Sequence, residues 1–199
     1  MTATLSDRLD QMVELYVAPW RDAGHSEPYP YLTLGDPATD AELDELERAI
    51  GRLLPAEARD VYKWHNGCTV WLVPDIGFYN MQVARSIYDI TKKQEFLPPL
   101  SNATEQLEAS ELFAIFNVDK PSLCVRTTVD ERIAASPVYF LDFEMDQFTM
   151  AAKSISDLVA QFIREFEAGH AELTEHGIMW TNGPGAFSFF DRSMVPYGG

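Results

Sequence analysis

Apolar residues recur every three or four positions after residue 39, and this period predicts an amphipathic helix. Thr39 is the predicted N-cap, and Glu42, three positions later, completes a capping box. Gly51 weakens the helix and Pro55 cannot lie in its interior, so the chain is expected to break between them. The predicted buried stripe consists of Leu43, Leu46, Ile50 and Leu53 or Leu54.

The other face of this helix is acidic, and Asp44, Glu45 and Glu47 are expected to point to solvent together with Arg48. A second helix is predicted to start at Pro55 and to end at Asn66-Gly67, because both of these last residues tolerate the left-handed backbone conformation. Its inner side is predicted to be formed by Ala58, Val61, Tyr62 and His65. The segment is therefore a predicted helix–corner–helix unit.

The same periodicity predicts three further helices. The first lies within residues 5–20 and is expected to end before or near Pro19, and the second covers residues 81–96. The third begins at Ser154 and carries the apolar stripe Ile155, Leu158, Val159, Phe162, Ile163 and Phe166.

Runs of β-branched and aromatic residues predict the strands of a sheet. They lie at 69–73 and 76–79 as a hairpin-like pair, at 112–116 as a central strand covered on both faces, at 123–127 and at 138–141, with a turn at 130–132.

The helix–corner–helix unit resembles the opening signature of the SUKH superfamily, the Smi/Knr-like domains. The matching features are Gly35, the capped acidic helix with Glu47, Ile50-Gly51, Leu54-Pro55 and Asn66-Gly67. The resemblance implies a single α+β domain with helices packed around a central, mostly antiparallel sheet and an amphipathic helix at each end of the core. We accordingly predict an N-terminal helix and proline-rich connection at 1–34, the SUKH-like domain at 35–168, and a helix end with an aromatic Gly/Pro tail at 169–199.

Charge narrows the class of partner. The chain has 15 Lys and Arg residues against 31 Asp and Glu residues, a formal net charge of -16. Nucleic acid and anionic membranes would repel it, whereas a basic protein would be attracted, although an acidic surface also serves solubility alone. No apolar run approaches the roughly 18 residues of a membrane-spanning helix and the N-terminus lacks the features of a signal peptide, so we expect a cytoplasmic protein.

No motif for catalysis or for a cofactor is present, and we expect a protein that is not an enzyme. Cys68 and Cys124 form no CxxC pair and are expected to be reduced thiols. His170 and His176 near the end of the last helix suit its negative C-terminal end better than a zinc site, so no metal site is predicted.

A second acidic segment follows the last predicted strand. Asp142, Glu144 and Asp146 alternate with Phe143 and Met145, which would place three carboxylates on one side of an extended segment. Such an edge could recognise basic residues, hold a hard cation, or only protect a strand edge from aggregation.

The resemblance implies two functions without catalysis. Bacterial members of the superfamily are typically immunity proteins that neutralise toxin domains, often nucleases, and fungal members act as signalling scaffolds. We therefore predict a protein that neutralises a basic, nuclease-like toxin, with partner contacts at Asp44, Glu45, Glu47, Asp142, Glu144 and Asp146. The alternative is a regulatory scaffold, whose main feature would be the aromatic tail after Gly183, a segment that could also mediate a homodimer.

Overall fold

The structure, a computed structural model, describes five α-helices and seven strands, three of the helices coming before the first strand. The described part of the chain comprises residues 3–24, 32–69, 72–74, 76–94, 96–98, 100, 106–118, 121–174 and 177–181. Its helices are α1 (Leu5–Asp22), α2 (Asp40–Ile50), α3 (Ala56–Trp64), α4 (Met81–Thr91) and α5 (Ile155–Glu167), with a short 3-10 helix at Ala109–Glu111. Its strands are β1 (Gly77–Phe78), β2 (Leu112–Asn117), β3 (Ser122–Arg126), β4 (Val138–Asp142), β5 (Gln147–Ala152), β6 (Ala171–Thr174) and β7 (Gly177–Trp180).

The first five strands form one antiparallel sheet in the order β1-β2-β3-β4-β5, and β6 and β7 form a separate hairpin. The predicted α+β single domain with helices around a central antiparallel sheet is thereby confirmed. The boundaries drawn at residues 34/35 and 168/169 stay a prediction.

The helix–corner–helix unit forms as its sequence predicts. The Thr39 hydroxyl accepts from the Glu42 N–H, and the Glu42 carboxylate accepts from the Thr39 N–H at 2.8 Å. Gly51 ends α2 in the left-handed conformation with φ at 71°. The second helix ends earlier than predicted, at Trp64, and His65 is its extended, half-buried C-cap rather than a member of its inner face.

The sheet separates two apolar clusters. The larger cluster contains the buried sides of α1, α2, α3 and α5 and one face of the sheet, including Phe113 and Phe140. The smaller cluster lies on the opposite face, around Tyr139 and Phe148. Strand β2 is buried on both faces, which confirms the predicted central strand.

Two further predicted helix ends differ from the structure. Helix α1 continues to Asp22 with Pro19 in its last turn, which is closed by a hydrogen bond from the Ala23 N–H to the Pro19 carbonyl at 3.1 Å. Helix α4 ends at Thr91 rather than near Phe96, whose side chain is 83% exposed. Helix α5 ends at Glu167, and Gly169, with φ at 75°, leads into the β6–β7 hairpin that the sequence did not predict.

The predicted strand pair at 69–73 and 76–79 is only partly realised. Val73 and Ile76 form an isolated antiparallel bridge, and only Gly77–Phe78 joins the sheet. Val70, Trp71, His176 and the aromatic tail after Gly183 lie outside the described residues.

A link between helices was not predicted. Ser154 caps α5 as expected, and the Glu57 carboxylate of α3 also accepts from the Ile155 N–H at 3.0 Å and from the Ser156 hydroxyl. A negative charge at the positive end of a helix is favourable. Glu57 therefore fixes the start of α5 against α3.

The Tyr62 hydroxyl gives a test of core packing. It is fully buried, and within the described residues it has no hydrogen-bond partner. A buried, unsatisfied hydroxyl is unfavourable, so Tyr62→Phe is expected to raise the free energy of unfolding by about 1 kcal/mol, measured by urea denaturation. The control, Tyr62→Ala, removes the packed ring and should lower it by about 3–5 kcal/mol. A clear loss of stability in Tyr62→Phe would contradict this description of the core.

Candidate functional site

The six predicted carboxylates lie in two different places. Asp44 and Glu47 line an open cleft at the C-terminal end of α2, together with Val129 and Arg132. Asp142 and Glu144 line a groove beside α4. The structure thus brings Asp44 near Glu47 and Asp142 near Glu144, and the two pairs lie at separate sites.

Glu47 is buried, which corrects the prediction that it faces solvent. Its side chain is only 5% exposed, and it accepts hydrogen bonds from three groups. Arg59 Nη1 donates to Oε2 at 2.8 Å, the Leu54 N–H donates to Oε1 at 2.8 Å, and Arg132 donates to both oxygens, to Oε2 at 2.9 Å. The carboxylate therefore joins α2, α3 and the connection between β3 and β4.

Arg59 extends this network towards the surface. Its guanidinium also donates to Asp44 and to Asp40, both at 2.8 Å, and Lys63 pairs with Asp40 at 2.6 Å. Three carboxylates thus meet three cations, and we call these six residues the Glu47 network: Asp40, Asp44, Glu47, Arg59, Lys63 and Arg132. Asp44 is exposed, but its charge is already paired with that of Arg59, which makes it a poor contact for a basic partner.

The sequence contains a signal for the burial of Glu47. Residues 43, 46, 47 and 50 follow the i, i+3, i+4, i+7 spacing of a buried helical face, so Glu47 lies on the apolar side of α2. Sequence reasoning also missed Arg59 and Arg132 as its partners. Arg59 is one helix away, but Arg132 lies 85 positions from Glu47, and no local pattern connects them.

The environment of Glu47 keeps it ionised. Burial by itself raises the pKa of this carboxyl, but hydrogen bonds from Arg132 and the Leu54 N–H, with the charges of Arg132 and Arg59, outweigh burial and hold the pKa below 4.5. Its contribution to stability is therefore present at neutral pH. That contribution is lost as the pH falls through the lowered pKa.

We predict that Glu47→Gln lowers the free energy of unfolding by about 3 kcal/mol at pH 7, because it leaves Arg132 without its charge partner in the partly buried cleft. This difference between wild type and variant should be constant above about pH 5. It should shrink at more acidic pH, because the unfolded wild-type chain takes up a proton at Glu47 at a higher pH than the folded protein, whose Glu47 pKa is lowered.

The measurement is urea denaturation of both proteins across this pH range. Glu45→Gln is the matched control, since Glu45 is an exposed neighbour on the same helix, and it should change stability by no more than about 0.5 kcal/mol. Equal effects of the two variants would show that the Glu47 network does not stabilise the domain.

The second acidic segment is a turn and not an extended edge, which corrects the predicted alternation. Residues 143–146 connect β4 to β5, and Asp142 Oδ1 accepts from the N–H groups of Glu144 and Met145 at 2.8 and 3.2 Å. Asp146 adopts φ of 52°, which Asp tolerates better than most residues. The segment 147–152, for which no strand was predicted, returns as β5.

A groove of about 240 Å³ lies between α4 and this turn. Its floor includes Cys124 and Leu141, which are both buried, and its walls include Ile87, Ile90 and Phe143. Burial raises the pKa of the Cys124 thiol to about 12, so at neutral pH it is protonated and behaves as an apolar group. Asp142 and Glu144 line the same groove, which we call the α4 groove.

Helix α4 is apolar on two sides. Ala84, Tyr88 and Thr91 are buried in the domain. A second stripe is formed by Val83, Ile87 and Ile90 at i, i+4 and i+7. Val83 is exposed and Ile90 is 64% exposed, whereas Ile87 is half-buried and packs against the smaller apolar cluster. Phe143, across the groove, is 40% exposed. Exposed apolar side chains that cluster beside charged groups are typical of protein-binding surfaces.

Within the described residues, no helix has the length and apolar character needed to cross a membrane.

Comparison with known proteins identifies the family. A search of the curated proteins finds no match to the chain. The model of the SMI1/KNR4 family (SUKH-1) matches residues 37–161, well over half of the chain. The chain therefore belongs to the SMI1/KNR4 family (SUKH-1), as its helix–corner–helix signature predicted, and its role is protein interaction of the Smi/Knr type.

Proposed function

We propose that this protein is a cytoplasmic, non-catalytic immunity protein that neutralises a basic, nuclease-like toxin domain. The observation that carries this proposal is the α4 groove, where exposed apolar side chains lie beside carboxylates. A toxin domain that covers the groove would bury Ile90 and Phe143 and would place its own cations near Asp142 and Glu144. Its active surface would then be blocked without any chemical step.

The apolar part of the groove supplies affinity. Ile90 is 64% exposed, so a partner can remove most of its side chain from water. Full burial of an isoleucine side chain contributes about 1.5–3 kcal/mol, which corresponds to roughly a tenfold to hundredfold change in Kd. Ile87 and Phe143 extend the same contact on either side.

The acidic part supplies attraction and selectivity. A nuclease must bind an anionic substrate, so its active surface is basic, and a protein with a net charge of -16 attracts such a surface over long range. Asp142 and Glu144 are placed where this attraction would guide the toxin into the α4 groove.

The carboxylates of α2 have a smaller part in this proposal. Asp44 and Glu47 are paired within the Glu47 network. Glu45 is exposed and forms no ion pair with the part of the chain that the structure describes, so it contributes to the general acidic field. Asp146 belongs to the exposed turn beside the groove and adds to the same field.

The proposal is tested by affinity capture of the tagged protein from its own organism, with washes at low and then high salt. We expect one basic protein, retained in a stoichiometric amount, and protection of cells that express it when the immunity protein is also present. Capture of several unrelated proteins without a basic partner would overturn the toxin proposal and favour the scaffold function.

We predict that Ile90→Lys weakens binding of the captured partner at least about tenfold, because it removes apolar contact and adds a charge of the same sign as the partner. Val129→Lys is the matched control, since Val129 is equally exposed, at 62%, but lines the cleft beside Glu47 instead. Binding is measured by calorimetry. If both variants bind as the wild type does, or both lose affinity equally, the α4 groove is not the binding surface.

The combined change Asp142→Asn with Glu144→Gln should mainly slow association, and it should reduce the dependence of the association rate on salt. Asparagine at 142 retains an oxygen that can accept the two N–H groups of the turn, so the fold is preserved. Stopped-flow association at several salt concentrations provides the measurement. The control pair is Asp44→Asn with Glu45→Gln on α2, and a larger salt effect in that pair would place the contact on α2.

A further inference from the structure

A second cavity lies beside the α4 groove and differs from it in character. It encloses about 450 Å³ between the extended segment 33–35, the turn 66–69, the end of β1 and the first turn of α4. In a chain with 46 charged residues of Lys, Arg, Asp and Glu, the described residues that line this cavity include no charged side chain. Instead, three of the five asparagines of the chain line it: Asn66, Asn80 and Asn117.

Hydrogen bonds fix two of these amides. The Asn66 Oδ1 accepts from the Met81 N–H at 2.8 Å, and the Asn80 Oδ1 accepts from the Val83 N–H at 2.9 Å. Their Nδ2 groups form no hydrogen bond within the described part of the chain, and neither does the half-buried side chain of Asn117. The cavity thus offers N–H donors at two held positions, and Asn117 adds both a donor and an acceptor.

Two glycines allow the backbone segments that form the walls of the cavity to pack closely against each other. A Cβ on Gly35 would lie 2.4 Å from the Asn66 carbonyl oxygen, and a Cβ on Gly67 would lie 2.5 Å from the Asn80 nitrogen. The Gly35 N–H donates to the Gly67 carbonyl at 2.9 Å. The asparagines are therefore mounted on backbone segments that pack directly against each other, which favours a preformed site.

The lining disfavours an ionic ligand. A cation would find no carboxylate among the described lining residues, and an anion would find no cation there and would be opposed by the net charge of -16. The N–H groups of Met81 and Val83 at the start of α4, which could otherwise attract an anion, are already taken by asparagine side chains. The donors and acceptors suit an uncharged group that itself carries both, and the peptide group is such a group.

The cavity and the α4 groove are adjacent. Tyr79 lines both of them, and Val83, the first residue of the exposed stripe on α4, lines the cavity. A protein segment that covers Val83, Ile87 and Ile90 would reach the cavity at its end.

We propose that this amide-lined cavity binds uncharged peptide groups, namely the main chain of an extended segment of the partner that also fills the α4 groove. The identity of that segment as part of a toxin rests on the proposed function. The preference of the cavity for peptide groups does not.

The cavity can be tested without the partner, with N-methylacetamide as a probe that carries one peptide group and no charge. The side-chain NH₂ signals of Asn66, Asn80 and Asn117 are followed by NMR as the probe is added to the isotope-labelled full chain. We expect saturable shifts of these signals. Asn117→Ala should weaken the apparent affinity about fivefold, the effect of losing one hydrogen bond of ordinary strength.

Two controls test whether the shifts are specific to the cavity. Gln82→Ala changes an exposed polar residue of α4 that is not part of the cavity lining, and it should leave the titration unchanged. Sodium acetate, with a similar size and a negative charge, should cause no saturable shift. Shifts that do not saturate, that saturate with an unchanged apparent affinity in Asn117→Ala, or that acetate reproduces would overturn the proposal. Because the partner is absent, this result is independent of whether the toxin proposal holds.

Discussion

The fold depends on the need to keep one buried charge paired. Glu47 lies on the apolar side of α2, where an isolated carboxylate would be strongly unfavourable. Arg59 is within reach from the neighbouring helix, but the second guanidinium, that of Arg132, comes from the connection between two strands of the sheet. The helix–corner–helix unit therefore supplies one guanidinium to its central charge, and the chain outside the unit supplies the other. The ion pair between Glu47 and Arg132 links this unit to the connection between β3 and β4.

This pairing also determines which acidic groups remain available at the surface. The cations of the Glu47 network pair with Asp40 and Asp44 of α2. The number of acidic residues in α2 therefore overstates the capacity of this helix to attract a partner. In the turn after β4, by contrast, the Asp142 carboxylate accepts hydrogen bonds from main-chain N–H groups. The carboxylates of this turn lie beside the exposed apolar side chains Ile90 and Phe143 in the α4 groove.

Local rules predicted the local features of this protein well. The capping box at Thr39, the stop at Gly51, the Ser154 cap and the doubly buried strand at residues 112–116 all follow from neighbours within a few positions. The signature residues Gly35 and Gly67 also have a structural reason, since two backbone segments meet there too closely for a Cβ.

The features that sequence reasoning missed depend on distant residues. The burial of Glu47 is stabilised by a residue 85 positions away, and the groove beside α4 exists because the turn after β4 lies opposite this helix, which is more than 50 positions earlier in the chain. The turn itself was misassigned, because alternation of charged and apolar residues over five positions fits both a strand and the tip of a hairpin. Such alternation is decided by the hydrogen bonds of Asp142, which the sequence does not display.

The outward apolar stripe on α4 has a consequence for the protein when it is alone. An exposed stripe of valine and isoleucine invites contact between identical molecules, yet two copies that each carry a charge of -16 repel one another at neutral pH and moderate salt. This repulsion opposes pairing of the stripe with its own copies. The repulsion weakens as the pH approaches the isoelectric point near 4.5, so the excess of carboxylates protects this protein from aggregation at neutral pH.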